Sequence, residues 1–230
     1  MRAAVVVFPG SNCDADTHWV LNEVAGIKAD YAWHSDADLE GYDAIILPGG
    51  FSHGDYLRSG AVAARAPIMA EVARRAARGV PVLGICNGFQ VLLEAGLLPG
   101  AMLHNAGIDF RCGWVHLRVE TARTPFTAAA RVGEVLRLPI AHGEGNYYAP
   151  PDLLARLEDD ERVAYRYCDA DGAVTALANP NGSVAGIAGV CNEAGNVVGL
   201  MPHPERASEA DLGSTDGGVF WDSLLGQATA

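Results

Sequence analysis

The chain has 230 residues, enough for one large domain or two small ones. Half of it is hydrophobic and only 19% is charged, which is enough apolar mass for a sizeable core and excludes disorder as the main state. Its 28 acidic and 16 basic side chains give a formal net charge of −12. That balance repels phosphate backbones and anionic membrane surfaces, so neither nucleic acid nor a membrane is an expected partner.

No segment approaches the roughly 20 apolar residues that span a bilayer. The apolar opening, residues 3–8, is too short for a signal-peptide core, so a cytoplasmic protein is expected. Cys13, Cys86, Cys112, Cys168 and Cys191 are scattered without a C-x-x-C pair. That spacing argues against a disulfide framework or a structural zinc site, and each is expected as a free thiol.

The first hundred residues alternate strand and helix. Residues 3–8 (AAVVVF) form an apolar run suited to a strand buried on both faces. Pro9-Gly10-Ser11 then turns the chain into a helix, with Ser11 as the expected N-cap, Asp14 in the first turn and Gly26 as the stop. A second strand is placed at 30–33 and a third at 43–47, ended by Pro48-Gly49-Gly50. An Ala-rich helix is expected over 59–78, with Pro67 as a break or restart. A fourth strand at 81–85 and a helix at 87–95, closed by Gly96, complete this half.

Residues 114–120 and Val135–His142 instead alternate apolar and polar side chains, as half-buried antiparallel strands do. Further strands are placed at 162–168, 184–190 and Val197–Leu200, with a weak helix over 216–225. The pattern predicts an α/β fold: an open, flavodoxin-like parallel sheet with helices on both faces, plus a smaller antiparallel sheet in the second half. No repeat, linker or low-complexity tract interrupts the chain, so residues 1–230 are read as a single domain.

Gly84-Ile85-Cys86-Asn87-Gly88 places a thiol at a strand-to-helix turn with a glycine two residues to either side. A nucleophile elbow needs this arrangement: small neighbours tolerate a strained backbone, and N–H groups at the helix start favour a thiolate and an oxyanion. A buried structural cysteine beside a glycine turn is the plainer alternative. A base for the thiol is offered by His203, with Glu205 two residues on, so that in extended backbone both side chains project to one side. Gly49 and Gly50 end a strand expected beside the elbow; they suit either an oxyanion hole or a simple tight turn.

These features together resemble the class I (triad) glutamine amidotransferases, marked by a G-x-C-x-G elbow, a following Gln (here Gln90) and a late His-x-Glu. Within that group the chain resembles the glutaminase subunits of the purine-biosynthetic synthase that amidates formylglycinamide ribonucleotide. Pro9-Gly10-Ser11-Asn12-Cys13-Asp14, Pro48-Gly49-Gly50-Phe51-Ser52, Gly54-Asp55-Tyr56-Leu57-Arg58, Ala141-His142-Gly143-Glu144-Gly145 and Met201-Pro202-His203-Pro204-Glu205 carry that likeness. His53 and Asn146 depart from it, standing where Tyr and Arg are expected.

The resemblance implies that Cys86 attacks the amide of L-glutamine and forms a γ-glutamyl thioester. His203 moves the protons and Glu205 orients it. Backbone N–H groups near Gly49, Gly50 and Asn87 face the oxyanion, and Gln90 helps hold substrate. It implies no metal and no cofactor in this chain. ATP and magnesium belong to a large synthetase subunit, joined by a small bridging subunit, and the absence of a G-x-x-x-x-G-K-[ST] loop agrees with that division.

Cys13 lacks flanking glycines on both sides and is read as structural; Cys112, Cys168 and Cys191 are read as packing residues. His142 and Glu144 repeat the His-x-Glu spacing, but between Gly143 and Gly145 they are read as a flexible loop with substrate-side or interface duty. Asp14, Asp16 and His18 do not share one helical face and are not read as metal ligands. A cysteine peptidase or deglycase is the rival enzyme class, disfavoured because Asn87 rather than His follows the thiol. A regulatory subunit with a degenerate triad is the non-enzymatic rival.

Overall fold

The computed structural model describes residues 1–36 and 38–227. Its strands are β1 (Arg2–Val7), β2 (Lys28–Trp33), β3 (Ala44–Leu47), β4 (Val82–Ile85), β5 (Ala101–Leu103) and β6 (Arg111–Val119). They continue as β7 (Val135–His142), β8 (Asn146–Tyr148), β9 (Val163–Cys168), β10 (Ile187–Cys191) and β11 (Val197–Leu200). The α-helices are α1 (Asp14–Trp19), α2 (Pro67–Ala77), α3 (Asn87–Glu94), α4 (Pro151–Asp159) and α5 (Gly218–Gln227).

Nine strands make one sheet in the order β2-β1-β3-β4-β11-β10-β9-β6-β7. The first five are mutually parallel and follow the flavodoxin-like 2-1-3-4-5 order, with β11 in fifth place. The remaining four are antiparallel and extend that same sheet rather than forming a second one. The separate small sheet is the antiparallel pair β5–β8.

Burial follows the sequence pattern. Residues of β3, β4 and β11 are buried throughout, as expected of strands covered on both faces. The exposed β7 edge shows the period-2 alternation of burial that its sequence predicts. Along α2, Ile68, Met69, Val72 and Ala76 form the inward stripe. Helix α3 is buried along nearly its whole length against β3, β4 and β11.

Three local expectations are corrected. The cap of α1 is Cys13, not Ser11; the Ser11 hydroxyl instead accepts the Phe8 N–H at 3.0 Å, closing the turn before the helix. The helix expected over 59–78 is only α2, preceded by a short 3-10 turn at Ala63–Arg65. Gly60 has φ +80° and its Cα faces the α3 backbone so closely that a Cβ would lie 2.7 Å from the Gln90 carbonyl carbon, so no helix passes through it. Helix α4 was not expected, although Pro151 at its first position and Leu153, Leu154 and Leu157 on one side are helical signals.

The carboxyl ends of β1, β3, β4 and β11 lie side by side in this order. The turns that leave them carry Cys13, Gly49–Gly50, Cys86 and His203.

Candidate active site

The elbow after β4 is built by close backbone approach. A Cβ on Gly88 would lie 2.0 Å from the Leu47 carbonyl oxygen, and one on Gly84 would lie 2.7 Å from the Gly88 backbone. Only glycine fits at either place. Cys86 itself takes φ +50° and ψ −105°, a conformation costing on the order of 1–3 kcal/mol for a residue with a Cβ. Hydrogen bonds hold it there: its N–H donates to Leu200 at 2.8 Å, and its carbonyl accepts from Phe89 and Gln90. The strain is therefore maintained by β11 on one side and α3 on the other.

His203 follows β11. Its N–H donates to the Pro139 carbonyl at 2.9 Å, and prolines on both sides restrict the chain. Nδ1 lies 2.6 Å from Glu205 Oε1, with both side chains almost wholly buried. Burial is the largest single influence and lowers the imidazole pKa, but the Glu205 carboxylate, Cys86 and Cys13 together outweigh it, and the net shift is well above the ordinary value.

The turn after β3 is braced by the turn after β1. The Gly49 carbonyl accepts from Asn12 and Cys13, and Phe51 N–H donates to Gly10 at 2.9 Å. Gly50 has φ +145°, and a Cβ there would lie 2.6 Å from the Asn12 nitrogen. Gly49 lies flat against the imidazole: a Cβ would come 2.7 Å from His203 Cε1 and 3.1 Å from Cys13 Sγ.

A cavity of about 170 Å³ is lined by Cys86, Gly50, Gln90, Asp55, His142 and Glu144, with Phe51, Ser59, His104 and Phe110 at its walls. Gln90 donates to the Glu144 carbonyl at 2.6 Å and accepts from Asn87 at 2.9 Å, while Asn87 Oδ1 accepts the Ser52 N–H. Asn87 thus ties the Gly50 turn to the elbow helix. Burial and then the nearby Glu144 charge raise the Asp55 carboxyl above its usual range. A larger cavity of about 530 Å³ reaches His203 and Glu205 from the other side, between Trp19, Trp114, Ile140 and Leu212.

Seven residues singled out in the sequence therefore meet: Cys86, His203, Glu205, Gly49, Gly50, Asn87 and Gln90. His142 and Glu144 join them as cavity walls rather than as a second base and orienter. Cys13, read from the sequence as structural, stands beside the chemistry: its thiol lies against His203 and accepts from Arg206 Nη2 at 3.1 Å. Asp55 and Ser59 were also missed as lining residues, although Asp55 lies within the Gly54–Arg58 motif. Of the two departures, His53 packs near Phe8 and edge-on to His34, and Asn146 donates to His104; neither lines the cavity.

Residues 1–215 match the family model described as the CobB/CobQ-like glutamine amidotransferase domain. The chain is 56% identical over 229 residues to phosphoribosylformylglycinamidine synthase subunit PurQ of Symbiobacterium thermophilum, covering 100% of this chain and 97% of that one. It is 59% identical over 225 residues to the subunit of the same name from Moorella thermoacetica, covering 98% and 95%. The chain belongs to the PurQ family of glutamine amidotransferases.

A solved structure agrees with membership of the PurQ family. The structure of PurLQS from Thermotoga maritima superposes with a TM-score of 0.88 at 49% identity, covering 99% of this chain and 98% of that one. A more distant glutamine amidotransferase from the same organism reaches a TM-score of 0.57 at 17% identity, covering 100% and 86%, a likeness of fold alone.

Proposed function

We propose that the chain is the glutaminase subunit of phosphoribosylformylglycinamidine synthase, hydrolysing L-glutamine through Cys86, His203 and Glu205. The observation that carries this reading is the strained Cys86 elbow, which opens on the 170 Å³ cavity and lies against a buried imidazole that Glu205 holds at 2.6 Å. The relatives' names supply the substrate class and the pathway.

Glutamine enters the 170 Å³ cavity with its side-chain amide at Cys86. Sγ attacks the amide carbon, and the thiol proton is held on His203. The oxyanion is met by backbone N–H groups of Gly50 and Asn87. The neighbouring N–H groups of Phe51, Ser52 and Cys86 are engaged with Gly10, Asn87 Oδ1 and Leu200, which fixes the backbone around the two donors. His203 then gives its proton to the departing nitrogen, which leaves as ammonia, and the γ-glutamyl thioester remains. His203 next takes a proton from water, hydroxide displaces the thiolate, and glutamate is released. Glu205 keeps the imidazole oriented throughout, Gly49 packs against its face, and Gln90 with the Glu144 backbone shapes the substrate wall.

Ammonia released into water at neutral pH is largely protonated and no longer nucleophilic, so the product must pass to a docked partner. That partner is a large PurL-like synthetase subunit, with a small PurS-like bridging subunit; the Thermotoga maritima PurLQS structure supports the assembly. ATP binding, magnesium and the ligase step belong to the synthetase, and this chain needs no cofactor of its own. Residues 1–230 act as a single glutaminase domain, supported by one continuous nine-stranded sheet. No helix among the described residues is long and apolar enough to cross a membrane, consistent with action in the cytoplasm.

The test is mass spectrometry after treatment with a glutamine-analogue diazoketone, alone and with the synthetase subunits present. A single adduct on Cys86, blocked by glutamine and absent in Cys86→Ala, is expected. An adduct on Cys13 in its place, or glutamine-dependent synthesis that survives Cys86→Ala, overturns the reading.

A further inference from the structure

Cys13 has no part in the reaction above, yet it lies against the pair that does. Its Sγ, a ring nitrogen of His203 and a carboxylate oxygen of Glu205 all fall within 4.8 Å of one another, and all three side chains are buried. Among the described residues, Glu205 Oε2 and His203 Nε2 find no hydrogen-bond partner. His203 Nε2 is the nitrogen that serves Cys86, whereas Glu205 Oε2 is a spare acceptor; buried polar atoms are normally satisfied, so that free carboxylate oxygen is open to a cation. Arg206 fixes the thiol from outside: Nη2 donates to Sγ at 3.1 Å while Nε donates to Asp16.

We propose that Cys13, His203 and Glu205 form a three-ligand site for a thiophilic divalent cation of the zinc class, and that its occupation switches the glutaminase off. The donor set is one sulfur, one imidazole nitrogen and one carboxylate oxygen, which suits zinc with a fourth position left open. Magnesium and calcium prefer all-oxygen shells and are disfavoured. A thiolate and a carboxylate together balance the charge of the cation. Bonds of about 2.0–2.3 Å place tetrahedral ligands roughly 3.5 Å apart, so side chains already within 4.8 Å need only close slightly. The 530 Å³ cavity, which reaches His203 and Glu205, gives the ion a way in.

On binding, the Cys13 thiol proton is released to solvent, and so is any proton on the ring nitrogen that turns to the metal. If that nitrogen is Nε2, the proton carrier for Cys86 is lost. If it is Nδ1, the 2.6 Å bond to Glu205 is broken. Either way His203 cannot serve the thioester chemistry. The loss of turnover rests on the glutaminase reading, whereas the binding itself does not.

The binding test uses full-length Cys86→Ala protein, so that the elbow thiol cannot substitute, titrated with Co²⁺. One equivalent is expected to give a sulfur-to-cobalt charge-transfer band and the intense visible bands of four-coordinate cobalt, both abolished by Zn²⁺. The bands should vanish when Cys13→Ala is added. Cys13→Ser, which keeps the volume and hydrogen bonding, should remove the charge-transfer band without loss of the thermal transition. Bands that persist without Cys13, such as from the exposed Cys112, or no band at one equivalent, overturn the site.

The functional test measures glutamine turnover of the unmodified chain with its synthetase partners. Zn²⁺ should reduce it at least tenfold, a chelator should restore it, and Cys13→Ser should need at least tenfold more Zn²⁺ for half-inhibition. Equal zinc sensitivity with and without the Cys13 thiol overturns the switch. No turnover in any metal-free sample would count against the glutaminase reading, while the cobalt bands would still report the site.

Discussion

Two His-x-Glu pairs of identical spacing stand near Cys86 and have opposite electrostatics. His203 meets its carboxylate at 2.6 Å, and its pKa is held well above the ordinary histidine value. His142 faces not Glu144 but the neutral amide of Asn105, Nδ1 to Oδ1 at 3.1 Å. Burial then dominates, with His203 repelling in the same direction, and lowers its pKa to about 4. Glu144 turns outward, 3.6 Å from the exposed His104. Spacing alone therefore does not make a base and orienter; the backbone decides. Pro202 and Pro204 set His203 and Glu205 on one side, whereas Gly143 and Gly145 let the second pair diverge.

The largest effects should come from breaking the first pair. His203→Asn is expected to lower glutamine turnover by about 10⁴-fold or more, measured with the synthetase partners present, because the proton carrier is lost outright. The matching His142→Asn should cost far less in kcat; comparable losses would mean that the two histidines share the chemistry. Glu205→Gln should cost on the order of 10²–10⁴-fold. With the carboxylate charge gone, the largest influence that opposes burial is lost and the His203 pKa falls, which NMR titration of the imidazole would read. In the unaltered protein the raised value means that protonated His203 stabilises the fold at low pH and that this contribution is lost as pH rises through the folded pKa. Glu205→Gln should remove that dependence.

Each ring is also packed by one glycine, which allows a matched experiment. A Cβ on Gly49 would lie 2.7 Å from His203 Cε1, and one on Gly145 would lie 2.2 Å from His142 Cε1. Both alanine variants should destabilise by roughly 1–3 kcal/mol through overpacking, read as a shift of the denaturation midpoint. Only Gly49→Ala should also lower kcat, by about 10²-fold, since it displaces the proton carrier. Gly145→Ala should act on KM through the cavity wall. Equal kcat losses would erase the distinction.

Much of this contrast was legible in the sequence, and what was not has a physical reason. Gly84 and Gly88 announce the elbow because no other residue fits two backbones in near contact, and His203-Pro204-Glu205 is stiff enough to read locally. Cys13 was invisible as a neighbour of His203. The two are 190 residues apart, and only the sheet order, with β3 and β4 set between β1 and β11, brings their turns to one place. The divergence of His142 and Glu144 depends on Asn105, which arrives from the turn after β5 and binds both the His142 ring and the Gly145 N–H. Gly60 ended the expected Ala-rich helix through a tertiary contact with α3 that no local pattern carries.

The depressed pKa of His142 gives a smaller, graded prediction. Its folded value of about 4 lies below the ordinary 6.5, so the unfolded chain binds the extra proton between those two pH values. Stability should fall as pH drops through that window, by about 1.4 kcal/mol per pH unit at most and about 3 kcal/mol in total. His142→Gln should flatten this slope in denaturation measured from pH 7 to 4, even if it lowers stability at pH 7. An unchanged slope would place the acid sensitivity elsewhere.

The smallest effect belongs to Glu144→Gln. Its contact with His104 is solvent-facing, and such pairs are worth less than about 0.5 kcal/mol, so the denaturation midpoint at pH 7 should hardly move. The backbone carbonyl that Gln90 uses is unaffected by the substitution. What should change is Asp55, whose carboxyl is raised first by burial and then by the Glu144 charge. With that charge removed the Asp55 pKa should fall part of the way back, visible by NMR as a displacement of its carboxyl titration midpoint toward acid. The same substitution in the other pair, Glu205→Gln, removes a carboxylate in direct contact with its histidine. If the two glutamine variants lowered turnover alike, Glu144 would have to touch the reacting groups, and the difference between an orienting carboxylate and a bystander with the same spacing would be lost.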